Sequence, residues 1–184
     1  MLSKQGLRTK LQKRLGSQTP EERKRRSLLV GKKLWALGEF KKAKSVCFYV
    51  ALPTEVDTVP MIRKAIRAGK RVVVPLSDLE NKELKLYEIK NPKMDLKKGA
   101  FGILEPLPSR TRVANSKELD LVVVPGVAFD KRDHRLGRGK GFYDRFLGKL
   151  NKRTFKIGLG FSFQVVPTIP AEGHDVKMDL VLTD

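Results

Sequence analysis

The stretch from residue 120 to residue 147 reads DLVVVPGVAFDKRDHRLGRGKGFYDRFL. Its opening run, LVVV, is apolar at every position, which is typical of a strand buried on both faces of a parallel sheet. Pro125 ends this strand, a loop rich in glycine and basic residues follows, and residues 142–150 have a helical pattern. A buried strand, a loop and a helix in this order predict a βα unit of an α/β protein.

Short runs rich in valine and isoleucine recur after residue 44, and predicted helices or loops separate them. This alternation predicts a mainly parallel sheet. The predicted strands cover residues 45–51, 71–75, 83–89, 120–125, 155–161 and 179–184. Pro75 is expected to end its strand, and residues 83–89 are expected to form an edge strand. A helix is predicted over residues 58–69 with Gly69 as its stop, and an irregular connection over residues 91–109.

Two amphipathic helices are predicted before residue 45. The first has leucine at every fourth position from residue 7 to residue 15, so one of its faces is apolar. The second begins with a capping box formed by Thr19 and Glu22, and Gly38 is expected to end it. Its basic cluster, residues 23–26, stands near the positive end of the helix dipole. This unfavourable placement hints at a use beyond solvation, with a solvated surface cluster as an equal alternative.

Length and composition exclude several classes of protein. The 184 residues suit a single domain, which we expect to comprise a helical part, residues 1–44, and an α/β core, residues 45–184. No apolar run approaches the roughly 20 residues of a membrane helix, so we expect no membrane partner. Cys47 is the one cysteine and lies in an apolar run, which indicates a buried thiol and a reducing, cytoplasmic location.

The chain is strongly basic, with 39 Lys and Arg against 20 Asp and Glu and a net charge of +19. Such a charge attracts polyanions but does not distinguish nucleic acid from a nucleotide. A basic nucleic-acid-binding protein is one alternative. However, no nucleic-acid-binding motif is present, and the aromatic residues are not interleaved with the basic ones. We therefore expect no specific nucleic-acid partner.

The glycine loop, residues 135–141, predicts a phosphate site. Three glycines at alternate positions enclose Arg138 and Lys140, and the loop follows the carboxyl end of a strand, where α/β sheets bind ligands. Glycines let backbone N–H groups approach a phosphate, and the two cations add charge. The pattern matches neither the Walker A motif nor the dinucleotide fingerprint. An enzyme acting on a phosphorylated metabolite, with no nucleotide in the loop, is therefore a further alternative.

Carboxylates near this loop are candidates for binding Mg²⁺, which prefers one or two carboxylates together with phosphate oxygens. Asp144 follows the loop directly, and Asp175 and Asp179 offer a second acid four residues apart. The alternative for Asp144 is an acid that is favoured by the helix dipole.

Glu55 follows the end of a predicted strand, where its carboxylate could accept paired N–H donors from an amino-pyrimidine ring. The alternative is a surface acid or a helix cap, for which Asp57 and Thr58 are better placed. Lys4 and Arg8 lie one turn apart on the first helix and could reach an anion or stay solvated.

Residues 123–147, VVPGVAFDKRDHRLGRGKGFYDRFL, closely resemble the signature of the 5-formyltetrahydrofolate cyclo-ligase family, also called 5,10-methenyltetrahydrofolate synthetases. The motifs KQGLR, ALPTEVDT, GILEP and HDVKMDLV occur in the family order, so the resemblance covers nearly the whole chain. It implies a three-layer α/β sandwich and a ligase of one-carbon metabolism. The implied reaction converts 5-formyltetrahydrofolate to 5,10-methenyltetrahydrofolate with Mg-ATP, releasing ADP and phosphate.

The resemblance also implies the site residues. The implied ATP-binding residues are Lys4, Gln5, Gly6, Leu7, Arg8, Arg135, Leu136, Gly137, Arg138, Gly139, Lys140, Gly141, Phe142 and Tyr143. The implied folate-binding residues are Val50, Glu55, Arg138, Gly139, Lys140, Gly141 and Phe142. Mg²⁺ is expected near Asp144 and Asp175. The folate substrate could carry a polyglutamate tail, and we expect a monomer.

We expect Arg138 and Lys140 to neutralise the transferred phosphoryl group and Glu55 to orient the pterin, without a covalent enzyme intermediate. The sequence departs from the family pattern twice. Asp133 stands where glycine is usual, and Phe142 replaces the first residue of a common Tyr-Tyr pair. Asp tolerates turn conformations, so the first departure is expected to do little harm. The second removes any contact that a hydroxyl would make.

Overall fold

A computed structural model describes residues 3–99, 104–170, 172–173 and 175–184. The helices are α1 Lys4–Gly16, α2 Pro20–Ala36, α3 Gly38–Lys42, α4 Val59–Arg67, α5 Pro92–Asp95 and α6 Phe142–Gly148. The strands are β1 Ser45–Cys47, β2 Arg71–Asp78, β3 Glu83–Ile89, β4 Leu96–Lys98, β5 Leu104–Pro106, β6 Arg112–Val113, β7 Leu121–Pro125, β8 Ala128–Asp130, β9 Arg135–Leu136, β10 Phe155–Leu159, β11 Val165–Val166 and β12 Leu180–Leu182. Within these residues, no helix is long and apolar enough to cross a membrane.

The central sheet has seven strands within the described residues, in the order β12-β10-β7-β1-β2-β3-β6. The first five strands in this order are parallel, and β3 and β6 are antiparallel to their neighbours, which confirms the mainly parallel sheet. The chain runs outward from β1 to β2 on one side and from β7 to β10 on the other. The strand order therefore reverses between β1 and β7. The crevice at such a reversal is the usual ligand site of an open α/β sheet.

Helices cover both faces of the sheet. Successive strand residues point to opposite faces, so apolar residues on each face need their own covering helices. Val72 and Val74 of β2 pack in a cluster with residues of α2 and α4, whereas Val73 packs in a second cluster with Phe146 and Leu147 of α6. The result is the three-layer α/β sandwich that the resemblance implies, and this prediction is confirmed. Burial of both faces supplies the main stabilisation, at about 25 cal/mol per Å² of apolar surface.

The predicted apolar stripe of α1 is confirmed, since Leu7, Leu11 and Leu15 are buried. Leu7 and Leu11 pack with Val127 and Leu136, which belong to the segment after β7. This contact places the amino-terminal helix over the segment that carries the glycine loop. The helix is thereby brought to the carboxyl edge of the sheet.

Several local signals are confirmed. Thr19 and Glu22 form the capping box of α2. Gly69 adopts a left-handed φ of +76° after α4, and its N–H donates to Ile66 O at 2.9 Å. Cys47 is 1% exposed, and burial raises the pKa of its thiol to about 12, as expected of a structural cysteine.

Two boundary predictions are wrong. Gly38 does not end a helix but begins α3, because α2 ends at Ala36 and Leu37 takes an extended conformation. Pro75 does not end β2, which continues to Asp78. Its missing N–H is tolerated because β1 pairs with β2 only through residues 71–73 and leaves that edge unpaired beyond them.

Pairings between distant segments also correct the predictions. Strand β3 is not the edge of the sheet, since β6 pairs with it. The connection predicted to be irregular contains α5 and the β4–β5 pair, and its residues 100–103 lie outside the described residues. The segment after β7, predicted to be a loop, contains β8 and β9, which form a small sheet with β11.

Candidate active site

A cleft of about 660 Å³ lies at the carboxyl edge of the sheet, where the strand order reverses. It is lined by α1, the loop after β1, residues of β2, β3 and β5, the segment from the end of β7 into α6, and the segment that precedes β12. Its volume is in the range of small-molecule sites in proteins. The topology therefore forms a ligand-sized cleft where the glycine loop and the loop bearing Glu55 face each other.

Helix α1 is attached to the cleft by polar contacts. Lys4 Nζ donates to Glu172 Oε1 and to Asp175 Oδ2, both at 2.9 Å. Burial lowers the pKa of Lys4, but the hydrogen bonds with Asp175 and Glu172 outweigh it and hold the pKa above its ordinary value. Arg8 Nε donates to Gly137 O at 2.9 Å. Both predicted anion-binding side chains of α1 thus reach the cleft and hold the helix against it.

Glu55 stands in the loop after β1, and both of its carboxylate oxygens accept hydrogen bonds. Oε2 accepts from the backbone N–H of Leu52 at 3.1 Å, and Oε1 accepts from Arg138 Nη2 at 3.2 Å. The Glu55 side chain is 12% exposed, whereas that of Arg138 is 44% exposed. The carboxylate is therefore held inside the cleft, and Arg138 is the more exposed partner.

The glycine loop needs glycine at two positions for steric reasons. Gly139 has φ +96° and Gly141 has φ +68°, a left-handed backbone that side chains rarely adopt. At Gly139, a Cβ atom would lie 3.4 Å from Cζ of Arg8. The glycines therefore let the loop turn closely beneath α1. Asp133, where the family pattern has glycine, also has a left-handed φ of +64°.

Arg135 and Asp144 form a tight ion pair behind the loop. Arg135 Nη2 lies 2.6 Å from Asp144 Oδ1, and the Arg135 side chain is 3% exposed. Arg135 Nη1 is 3.4 Å from Pro125 O, while its Nε is buried without a hydrogen-bond partner among the described residues. The guanidinium carbon lies 5.7 Å from the centre of the Tyr143 ring. A buried cation of this kind depends on its carboxylate partner.

Most of the predicted site residues line the cleft. These are Lys4, Gln5, Arg8, Val50, Glu55, Arg135, Leu136, Gly137, Arg138, Gly139, Gly141, Phe142, Tyr143, Asp144 and Asp175. Three predicted residues lie elsewhere. Leu7 is buried in the core, Gly6 donates its N–H to Ser3 Oγ at the start of α1, and the Lys140 side chain is exposed beside the cleft.

The two predicted metal ligands both line the cleft, and each already has a cationic partner. Arg135 pairs with Asp144, and Lys4 pairs with Asp175. Asp179 instead accepts from the backbone N–H and Nζ of Lys156, both at 2.7 Å, and does not line the cleft. Among the described residues, no group of three or more His, Cys, Asp or Glu side chains could hold a metal ion.

Sequence reasoning missed other residues that line the cleft, including Tyr49, Ser77, Leu84, Glu105 and Glu172. Ser77 was missed because β2 was expected to end at Pro75, and Leu84 because its pairing with Ser77 brings it to the cleft. Glu105 stands in the GILEP motif, so the resemblance offered a signal that was not followed to this side chain. Tyr49 was concealed within an apolar strand pattern, and its hydroxyl donates to Val56 O at 3.1 Å.

The fold and site together define an α/β protein whose ligand cleft opens at the reversal of a mainly parallel sheet. A model of the 5-formyltetrahydrofolate cyclo-ligase family matches residues 1–184. The 5-formyltetrahydrofolate cyclo-ligase of Mus musculus is 31% identical over 188 residues, which cover 98% of this chain and 93% of the mouse protein. A probable 5-formyltetrahydrofolate cyclo-ligase of Schizosaccharomyces pombe is 33% identical, with coverage of 99% and 95%.

A solved structure supports the same relationship. The 5,10-methenyltetrahydrofolate synthetase of Aquifex aeolicus has a TM-score of 0.84 and 37% identity, covering 97% of this chain and 88% of that one. The chain therefore belongs to the 5-formyltetrahydrofolate cyclo-ligase family, as the sequence motifs indicate. It is an enzyme, a ligase of folate metabolism.

Proposed function

We propose that this enzyme converts 5-formyltetrahydrofolate to 5,10-methenyltetrahydrofolate and couples the reaction to the cleavage of ATP to ADP and phosphate. The proposal is supported mainly by two kinds of binding group, a carboxylate and a basic glycine loop, that share one cleft. On one wall, the carboxylate of Glu55 is fixed by two hydrogen bonds. On the other wall, the glycine loop presents backbone and Arg138.

Glu55 is suited to bind the amino-pyrimidine edge of the pterin. Each carboxylate oxygen can accept more than one hydrogen bond, so Oε1 and Oε2 can accept ring N–H groups while Leu52 N–H holds the side chain. Val50, Leu84 and Phe142 line the same cleft and supply apolar surface for a planar ring. The loop after β1 is therefore the folate side of the proposed site.

The phosphates of ATP are proposed to lie against the glycine loop. Arg8 and Arg138 line the cleft there, and Lys140 is exposed beside it, so its long side chain can turn toward a bound phosphate. Asp144 and Asp175 would hold Mg²⁺, which supplies charge neutralisation when it is bound. Two carboxylates in one cleft suit an ion that enters with the nucleotide, since Mg²⁺ takes one or two carboxylates together with phosphate oxygens.

The proposed reaction needs positioned charge and no enzyme nucleophile. The formyl oxygen on N5 attacks the γ-phosphorus, the bond to ADP breaks, and a phosphorylated iminium forms. N10 then attacks the formyl carbon and loses its proton, and the C–O bond breaks to release phosphate and the methenyl product. Arg138 and Lys140 are proposed to stabilise the charge on the transferred phosphoryl group. Holding N10 near the formyl carbon supplies the rest through proximity.

The decisive experiment follows the near-ultraviolet absorbance of the methenyl product. Purified protein is mixed with 5-formyltetrahydrofolate, MgCl₂ and ATP, and controls omit ATP or magnesium. An increase only in the complete mixture supports the proposal. If ATP is hydrolysed without formylfolate, or if no absorbance change occurs with folded protein, the proposal fails. Screening of phosphorylated metabolites would then follow.

The substrate's tail, the oligomeric state and the cellular location stay predictions. We propose that folates with a polyglutamate tail are also substrates, because the net charge of +19 favours an anionic tail. Gel filtration tests the predicted monomer, and comparison of KM values for the monoglutamate and pentaglutamate forms tests the tail.

A further inference from the structure

We propose that Arg23 is a positioning residue that sets the orientation of Glu55 and so controls folate affinity. Arg23 lies on α2, within the basic cluster of residues 23–26, and it is not among the described residues that line the cleft. Its side chain contacts the backbone of the loop after β1. The inference rests on the proposed function, since it assumes that Glu55 binds the pterin.

The guanidinium of Arg23 binds two backbone carbonyls of this loop. Nε donates to the carbonyl oxygen of Glu55 at 2.6 Å, and Nη2 donates to that of Leu52 at 3.1 Å. The same two residues are bonded to each other. Glu55 N–H donates to Leu52 O at 3.0 Å, and Leu52 N–H donates to Glu55 Oε2 at 3.1 Å. Arg23 therefore holds both the residue that carries the carboxylate and the residue that fixes it.

Helix α2 makes a second attachment to the loop one turn further on. Ser27, four residues after Arg23 and 5% exposed, accepts a hydrogen bond from the N–H of Asp57 at 3.0 Å. The helix itself is anchored in the core by Val30 and Leu34, which are fully buried. Helix α2, which is anchored in the core, thus makes hydrogen bonds with both halves of the loop.

A positioning role follows from the local structure of the loop. No helix or strand bounds cover residues 48–58, which are all described, so the backbone of this loop depends on contacts of this kind for its position. A carboxylate that accepts two ring N–H groups must lie in the plane of the ring, within about 0.5 Å of the productive position. The two donors of arginine match two carbonyls in a fixed fork, whereas lysine offers a point donor.

The test measures steady-state kinetics for R23A, R23K and the control R25A in the full-length enzyme, each alone and combined with E55Q. Arg25 is exposed on the same helix and makes no hydrogen bond or ion pair with the described residues, so R25A matches the loss of charge. KM for 5-formyltetrahydrofolate, KM for ATP, kcat and the midpoint of thermal unfolding are recorded for each variant.

The expected result for R23A is an increase of about tenfold in KM for 5-formyltetrahydrofolate, as for the loss of one charge-assisted hydrogen bond, with KM for ATP changed less than about twofold. R23K should be intermediate, and it keeps the test available if R23A does not fold. R25A should match the wild type. In the E55Q background, R23A should raise KM for 5-formyltetrahydrofolate by less than about a further twofold, because both changes act on the same carboxylate group.

Equal effects of R23A in the wild-type and E55Q backgrounds would overturn the inference, because Arg23 would then act independently of Glu55. So would a lower unfolding temperature with unchanged KM, which a merely structural contact would give. If E55Q alone leaves KM for folate unchanged, the failure lies in the proposed role of Glu55, and the inference falls with it.

Discussion

Replacing Asp144 by asparagine should destabilise the protein even when neither metal nor nucleotide is present. The reason is Arg135, whose side chain is 3% exposed and whose Nη2 lies 2.6 Å from Asp144 Oδ1. Its Nε has no hydrogen-bond partner among the described residues, and Nη1 makes only a 3.4 Å contact with Pro125 O. Loss of the carboxylate would leave this cation buried without a counter-charge.

The magnitude follows from the burial of the two partners. Removing one partner of a buried ion pair costs about 3–5 kcal/mol. Asp144 is 22% exposed, and an asparagine oxygen could still accept a hydrogen bond from Nη2, so the expected cost is smaller, about 2 kcal/mol. For a chain of this length, that corresponds to a decrease of about 4–8 °C in the midpoint of thermal unfolding.

The assay is thermal unfolding followed by circular dichroism, in EDTA and without nucleotide. Glu80→Gln is the matched control, because it also removes one carboxylate but from an exposed turn, and its midpoint should stay close to that of the wild type. If Asp144→Asn unfolds within about 1 °C of the wild type, the reasoning is refuted. Asp144 would then matter only to ligands, and the charge of Arg135 would be solvated by other means.

Three further outcomes are expected. Gly158→Ala should cost about 1–3 kcal/mol of unfolding free energy, because the added Cβ would lie 2.5 Å from Cε1 of Phe129. Lys140→Ala should lower kcat about 100-fold while leaving the unfolding midpoint unchanged, since its side chain is exposed. Burial opposes ionisation of Asp130, but the N–H of Ile169 and neighbouring donors outweigh it and hold its pKa below the ordinary value. The stability it contributes is therefore present above about pH 4 and lost as pH falls through the lowered pKa, which acid titration of unfolding measures.

Each of these outcomes has a control. Gly148→Ala adds the same methyl group where no atom lies within 4 Å, so it should leave stability nearly unchanged. Equal losses in the two glycine variants would contradict the packing argument. Lys152→Ala removes an exposed lysine that is not among the described residues lining the cleft, and it should keep full kcat. Wild-type kcat in Lys140→Ala would remove that residue from the mechanism. Asp130→Asn should weaken the acid dependence, and an unchanged dependence would point to other carboxylates.

Local signals in the sequence predicted the elements whose causes are local. The capping box at Thr19 and the left-handed stop at Gly69 depend on residues within a few positions, and both are confirmed. The prediction at Pro75 was wrong because a proline ends a strand only where a neighbouring strand would accept its N–H. Strand β1 is too short to pair with β2 at that position. The β8–β9 pair was missed because a charged turn and glycines masked two very short strands.

The candidate site was predictable in its residue types but not in its charge pairing. The basic loop and the acids near it are visible in the sequence, whereas their partners lie far apart along the chain. Arg138 and Glu55 are separated by 83 residues, and Lys4 and Asp175 by 171. Neither periodicity nor residue spacing predicts pairs so far apart, because the partners meet only when folding brings distant segments to the carboxyl edge of the sheet.

This pairing changes what the net charge of +19 means for binding. In the cleft, the carboxylates of Glu55, Asp144 and Asp175 each lie within 3.2 Å of a basic side chain. The cleft is therefore not a cluster of unmatched cations that would hold any polyanion. An anionic ligand must compete with these carboxylates for their cations, which favours a ligand that also supplies donors to a carboxylate. A pterin joined in one site with a triphosphate offers both, whereas a simple polyanion offers only the negative charge.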